Sequence, residues 1–321
     1  MTRKLPVAAL LALTAATNLA SCADVSRRDQ PSRGQWTQMA SVLAREGTPD
    51  SLVTAALIHE AQLRDSAAAL VSLDNALRLN PRQADASWLA LNICMATAGC
   101  QTARYATKLA ELDPGNAAAH YPDLAAARAR GDVAAEDQAL SRMANASYFD
   151  IYWSRLLTRV TDTLTQPRGP SRRPLRVLPQ AATEVIGWLA ADAIPPFAST
   201  VQTCKDERLK REEVVAWCRK LASVMDNSDT VIATMMARAI AKPVWPPESA
   251  EAAKFRERSR ESNYVREALE PYNNEEALNT AEGMKRWLDR FRTNRSEHEV
   301  YRQWLAELGV PPDPPADWVS K

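Results

Sequence analysis

The side chains available for acid–base or metal chemistry are few. The chain has three histidines, His59, His120 and His298. His59-Glu60 opens like a zinc-protease helix, but position 63 is Leu, so the second imidazole on the same helix face is missing. No Gly-x-Ser-x-Gly turn presents a serine nucleophile. Paired carboxylates can cleave glycosidic bonds, and Glu111, Glu212 and Glu213 are candidates. Nothing in their context separates them from solvating charge on exposed helices. Each histidine reads as a surface or helix-face residue, and His298, between Glu297 and Glu299, as solvated in a first helical turn. The nine glycines are never closer than 13 positions. A phosphate-cradling loop needs several glycines within about six residues, so P-loops and dinucleotide fingerprints are excluded. So few glycines also argue against a β-rich fold, whose turns use Gly heavily.

The chain of 321 residues carries a formal charge of +1. Residues 1–21 contain Arg3 and Lys4 and no acid, so the portion from Cys22 onward has 38 Lys and Arg against 39 Asp and Glu. A nucleic-acid-binding domain is usually clearly basic, so no nucleic-acid partner is expected. Residues 5–16 are apolar except for Thr14 and follow the two cations. This is the charged start and apolar stretch of a secretory signal, and it is too short to span a bilayer of about 20 residues. The segment ends Leu19-Ala20-Ser21-Cys22. These residues resemble the lipobox of bacterial lipoproteins, in which cleavage precedes the cysteine and its sulfur receives a diacylglycerol. The resemblance implies lipidation at Cys22, a membrane partner through that anchor, and a mature protein on the periplasmic side. An ordinary secreted signal with an incidental cysteine is the alternative. Residue 23 is Ala rather than Asp, which by resemblance to enterobacterial sorting favours the outer membrane. No later stretch reaches 18 apolar residues, so the remainder is expected to be soluble in the periplasm.

Setting Cys22 aside leaves Cys94, Cys100, Cys204 and Cys218. An even number in an oxidising compartment points to two disulfides. Of the three possible connectivities the local one, 94–100 with 204–218, is expected. Free thiols and zinc are the alternatives, but zinc usually takes cysteine pairs about two to four residues apart, a spacing neither pair has. Pairing would leave no thiolate for a Cys–His nucleophile.

The body reads as helix after helix. Trp36, Met39, Ala40, Val42 and Leu43 recur at helical spacing. Pro49, Pro81 and Pro114 then stand 32 and 33 residues apart, two of them in the matching contexts Leu79-Asn80-Pro81 and Leu112-Asp113-Pro114. Ala76, Ala110 and Ala144 are 34 apart, and Gly99 and Gly131 fall between these landmarks. The physical reading is a helix, a Gly-containing turn, a second helix and a Pro that opens the next unit. Such hairpins bury their apolar faces only by stacking. This pattern resembles the tetratricopeptide repeat over residues 50–149, carried by Trp88, Leu91, Met95, Ala103 and Ala110 in one unit. Ala69, Leu73 and Ala76 carry it in the unit before, and Tyr121, Leu124, Ala125 and Ala144 in the unit after. Asn92 stands where the family prefers a small residue, and Phe149 where it expects Pro. The resemblance implies an all-α fold of stacked helical hairpins, an α-solenoid followed by a further helical domain.

Residues 150–166 form another helix on this reading, and 167–174 hold three prolines and three arginines, which excludes a helix there. The expected organisation is a signal at 1–21, a lipidated tether at 22–33 and repeats at 34–166. A Pro/Arg-rich linker follows at 167–179, then a helical domain at 180–321. That domain should hold helices near 180–193, 197–205, 210–225, 229–241, 248–269, 274–292 and 297–308. Ser296 with Glu299 makes a capping box, and Asp229 and Asn274 are N-cap candidates. Leu278, Ala281, Met284, Trp287, Leu288 and Phe291 form one stripe, read as core rather than a ligand groove. Pro311, Pro312, Pro314 and Pro315 make a stiff tail ending at Trp318, fit to pack on the body or to be recognised in a groove.

The expectation is a non-catalytic chain without metal or cofactor. By resemblance to repeat-containing envelope lipoproteins it would be a scaffold that binds another protein, an envelope component, in a concave groove. Trp88, Tyr105 and Tyr121 are candidate groove anchors, or alternatively inter-repeat core. An immunity lipoprotein that neutralises a secreted effector is the second reading, and a peptidoglycan-acting enzyme the third.

Overall fold

A computed structural model of the chain describes residues 31–272 and 278–319. The signal, Cys22 and Asn274 lie outside the described residues. Fifteen α-helices and no β-strand occur among the described residues, packed largely as neighbours in adjacent pairs. The fold is an all-α, helical repeat-like architecture.

α1 (Arg33–Glu46) begins under a capping box made by Ser32 and Gln35 and ends at Gly47, φ 65°. Arg33 is therefore helix, not the last residue of the tether. α2 (Pro49–Ile58) starts with Thr48 as N-cap and Pro49 in its first turn, where a missing N–H costs nothing. Eight of its ten residues are buried. It continues into a π-turn (His59–Leu63), and α3 (Ser66–Leu79) returns beside it. α4 (Ala84–Ala96) and α5 (Thr102–Leu112) form the second hairpin, with Gly99 (φ 76°) in its turn. α6 (Tyr121–Arg130), entered through a short 3-10 turn (Ala117–His120), and α7 (Val133–Ala144) form the third. Gly131 (φ 67°) sits between them. Arg64 takes the left-handed turn position of the first hairpin, φ 54°, so the glycine landmarks start only at the second. Pro81 and Pro114 lie in the turns before the second and third hairpins.

The chain then turns back. α8 (Trp153–Thr165) packs on α2, α9 (Gln180–Asp192) on α4 and the π-turn, and the short α10 (Ala198–Thr203) on α6. These helices thus cover the first helix of each hairpin in turn. α11 (Glu212–Asp226) and α12 (Val231–Val244) form a tight pair with α11 against α7. α13 (Ala250–Leu269), α14 (Ala281–Thr293) and α15 (Glu297–Glu307) complete the body. α14 packs on α8 as well as on α15.

Six of the seven expected helices of the C-terminal half are present within about three residues of their expected bounds; the one expected at 274–292 instead begins at Ala281, where the Thr280 hydroxyl caps it by accepting from the Gly283 N–H. Of the expected stripe, Met284, Trp287, Leu288 and Phe291 are buried core, Leu278 is half-buried, and Ala281, in the first turn of α14, is exposed. Burying a large apolar side chain fully contributes about 1.5–3 kcal/mol. One continuous core runs from Trp36 to Leu305 through both halves. The Pro/Arg-rich segment is accordingly pinned to the body: Arg168 bonds Glu46 of α1, and Arg176 pairs with Glu184 of α9. The capping box of Ser296 and Glu299 is in place. Asp229 does not cap α12, a role taken by Thr230, whose hydroxyl accepts from the Ala233 N–H.

Candidate interaction surfaces

Trp88 and Asn92 lie on α4 and Tyr121 opens α6, all on first helices of hairpins. The Trp88 indole N–H donates to the Ala193 carbonyl at 3.1 Å. The Asn92 amide donates to the Asp192 carbonyl, and the Tyr121 hydroxyl to the Pro196 carbonyl at 2.5 Å. All three acceptors belong to one short segment, 192–197, which leaves α9 and enters α10. Phe197 closes it against Phe149, ring centroids 5.7 Å apart. Trp88 and Tyr121 are 0% exposed. The expected groove anchors therefore hold the chain's own backbone and present nothing to an outside partner. Tyr105, 4% exposed, is a tie between hairpins: its hydroxyl donates to Asp74 of α3 at 2.9 Å. Burial and the neighbouring Asp74 push that phenol up to about 12.

Beside this segment the Asp192 carboxyl stands near Glu60 of the π-turn. Burial and the Glu60 charge raise it to about 6. The segment is also tied downstream. Cys204 and Cys218 stand at disulfide distance, Cα–Cα 5.7 Å, linking the end of α10 to α11. Cys94 and Cys100 are likewise paired across the turn after α4, Cα–Cα 5.3 Å. Both pairs are the local ones expected from the sequence.

A second polar centre joins three helix starts. The Asp229 carboxylate accepts from the Ile151 N–H at 3.1 Å and the Trp153 N–H at 2.8 Å, so it caps α8 rather than its own helix. Burial, then the adjacent Asp150, drive its carboxyl upward. The Asp229 carbonyl accepts from the Glu297 N–H at 2.9 Å, and the Glu297 carboxylate accepts from the Val231 N–H at 2.8 Å. Burial raises Glu297 to about 7. His298 is half-buried rather than solvated. Burial, then the charges of Arg302, Arg258 and Arg238, push it down to about 4.

A third arrangement involves the tail, which packs on the body. The Tyr264 hydroxyl of α13 donates to the Pro311 carbonyl, and Trp318 meets the Tyr264 ring edge-on, centroids 5.4 Å apart. A polar groove of about 710 Å³ runs between the start of α2 and α8, lined by Asp50, Arg155, Arg159, Asp162 and Arg292 among others. Its charges are largely matched internally: Arg159 pairs with Asp85 at 2.9 Å and Asp50 at 3.3 Å, and Arg292 with Asp162.

The carboxylates considered for glycan cleavage do not converge. Glu111 is exposed on α5 beside Lys108, Glu213 pairs with Arg211 at 3.0 Å, and Glu212 is exposed at the start of α11. His59 and His120 are half-buried, and burial lowers both. Among the described residues no three His, Cys, Asp or Glu side chains gather to hold a metal. Sequence reasoning missed Asn92, whose signal was its polarity at a place where the repeat favours a small residue, and Asp229 as a cap for a distant helix. No family model, curated protein or solved structure matches the chain.

Proposed function

We propose that the protein is a non-catalytic lipoprotein scaffold, anchored through Cys22 on the periplasmic side of the outer membrane, that binds another envelope protein. The observation that carries this reading is the mode in which the hairpin helices grip segment 192–197. Side chains from successive hairpins donate to main-chain carbonyls of the short connection that leaves α9 and enters α10. That is chemistry by which helical repeats hold peptides with little dependence on sequence. The signal-like residues 1–21, the sequence Leu19-Ala20-Ser21-Cys22 and two cysteine pairs suited to an oxidising compartment support the location. With the first helices of the hairpins covered by α8–α10, partners use the remaining surfaces.

The test is crosslinked capture from the native envelope with the tagged chain, beside a Cys22→Ala variant, read by mass spectrometry. Resident wall or outer-membrane assembly proteins should be enriched by the native chain and lost with the variant. Capture of a secreted toxin alone would replace the scaffold with an immunity protein.

A further inference from the structure

Residues 310–318 read Val-Pro-Pro-Asp-Pro-Pro-Ala-Asp-Trp. Four prolines fix φ near −65°; the segment bends at 312–313 and turns at 316–317, where the Trp318 N–H donates to the Pro315 carbonyl at 3.0 Å. Side chains of α13 and α15 take carbonyls along it. The Tyr264 hydroxyl donates to the Pro311 oxygen at 2.9 Å, and Arg302 to the Pro312 oxygen at 3.1 Å. Arg260 donates to the Pro315 oxygen and, at 3.3 Å, to the Trp318 oxygen. Two side chains of the segment are read in addition: Asp313 pairs with Arg302 at 2.7 Å, and Trp318 packs on Tyr264. The Asp313 side chain is 71% exposed, and Pro311, Pro312, Pro314 and Pro315 are not among the buried residues. The segment lies on the surface instead of interdigitating with the core.

We propose that the face formed by α13 and α15 is a docking site for a proline-rich segment of a partner protein, with an acid between two proline pairs and an aromatic residue after them. Residues 310–318 occupy it in cis until such a segment displaces them. The contacts favour this occupant because they fall mostly on main-chain oxygens of a proline-rich stretch that bends and turns as 310–318 does, while one arginine and one tyrosine ring select the acid and the aromatic. The assignment deepens the scaffold reading and rests on it only for the partner being a protein.

The experiment uses the full chain with Pro312→Gly and Trp318→Ala, which loosen the cis strap, and a fluorescent peptide of residues 310–319 read by anisotropy. A tethered segment competes at an effective concentration in the millimolar range. The loosened chain should therefore bind the peptide at least ~10-fold more tightly than the native chain. Adding Arg260→Ala or the conservative Tyr264→Phe should weaken it again, with far-UV circular dichroism unchanged. No binding by a loosened chain of native helical content overturns the proposal. So does binding indifferent to both α13 substitutions. Loss of helical signal on loosening would make the strap a brace, and exchange of labelled tails in a concentration-dependent dimer would give the face to a second copy; either result also overturns it. Peptide binding needs no envelope, so failure here is distinct from failure of partner capture.

Discussion

Glu297 and His298 are neighbours in the chain with opposite proton demands, and substituting one should expose the other. The folded chain holds Glu297 near 7 instead of 4.5. Between those values the folded state keeps a proton that the unfolded state releases, so this group's stabilisation is present below 4.5 and lost as pH rises through 7. His298 is held near 4 instead of 6.5. There the unfolded state binds the extra proton, so the contribution of His298 is present above 6.5 and lost as pH falls through 4. From pH 4.5 to 6.5 the two slopes cancel. At about 1.4 kcal/mol per pH unit, each is worth about 3 kcal/mol across that window. This is an upper figure, because both side chains are half-buried and water screens them. Glu297→Gln keeps an acceptor for the Val231 N–H and removes only the titration. The variant should gain up to about 3 kcal/mol relative to the native chain as pH rises from 4.5 to 6.5, and His298→Gln should lose as much over the same range. Urea unfolding followed by circular dichroism at pH 4.5, 5.5 and 6.5 reads both differences. Native and variant curves that run parallel, or a Glu297→Gln difference that falls with pH, would refute the reasoning.

Removing the Trp88 indole N–H as Trp88→Phe leaves the buried Ala193 carbonyl without its donor; urea midpoints should report a loss of about 1–3 kcal/mol. Replacing Cys204 and Cys218 together by Ser opens a link that spans 14 positions, and unfolding under non-reducing conditions should show a loss of about 3 kcal/mol. Gly131→Ala places a Cβ on backbone at φ 67° with no atom within 4 Å to clash. The cost is purely conformational, about 1 kcal/mol or a melting temperature lower by a few degrees; no change in the melting curve would deny the turn its left-handed geometry.

The helices were legible because apolar residues recur at 3.6 spacing and because caps such as Ser296 with Glu299 are local. The cysteine pairs were legible because each is close in sequence. The return of α8–α10 across the first hairpin helices was not. Trp88, Asn92 and Tyr121 donate to carbonyls 105, 100 and 75 positions away, and a main-chain acceptor leaves no mark in the sequence. This is why aromatic residues read as partner anchors prove to be internal ties. Asp229 shows the same limit, since its position before α12 suggested a local cap while its carboxylate faces the start of α8. His298 looked solvated because its chain neighbours are acids, whereas the groups that set its proton affinity include Arg258 and Arg238 on other helices.

The proposed envelope lipoprotein is tested most directly at the N-terminus of the mature protein. Mass spectrometry of the purified native chain, after fractionating the membranes, should find an N-terminal peptide beginning at Cys22 with a diacylglycerol thioether, in the outer-membrane fraction. A chain that begins at Met1, unacylated and soluble in the cytoplasm, would contradict the anchor, the oxidising compartment and the envelope scaffold together.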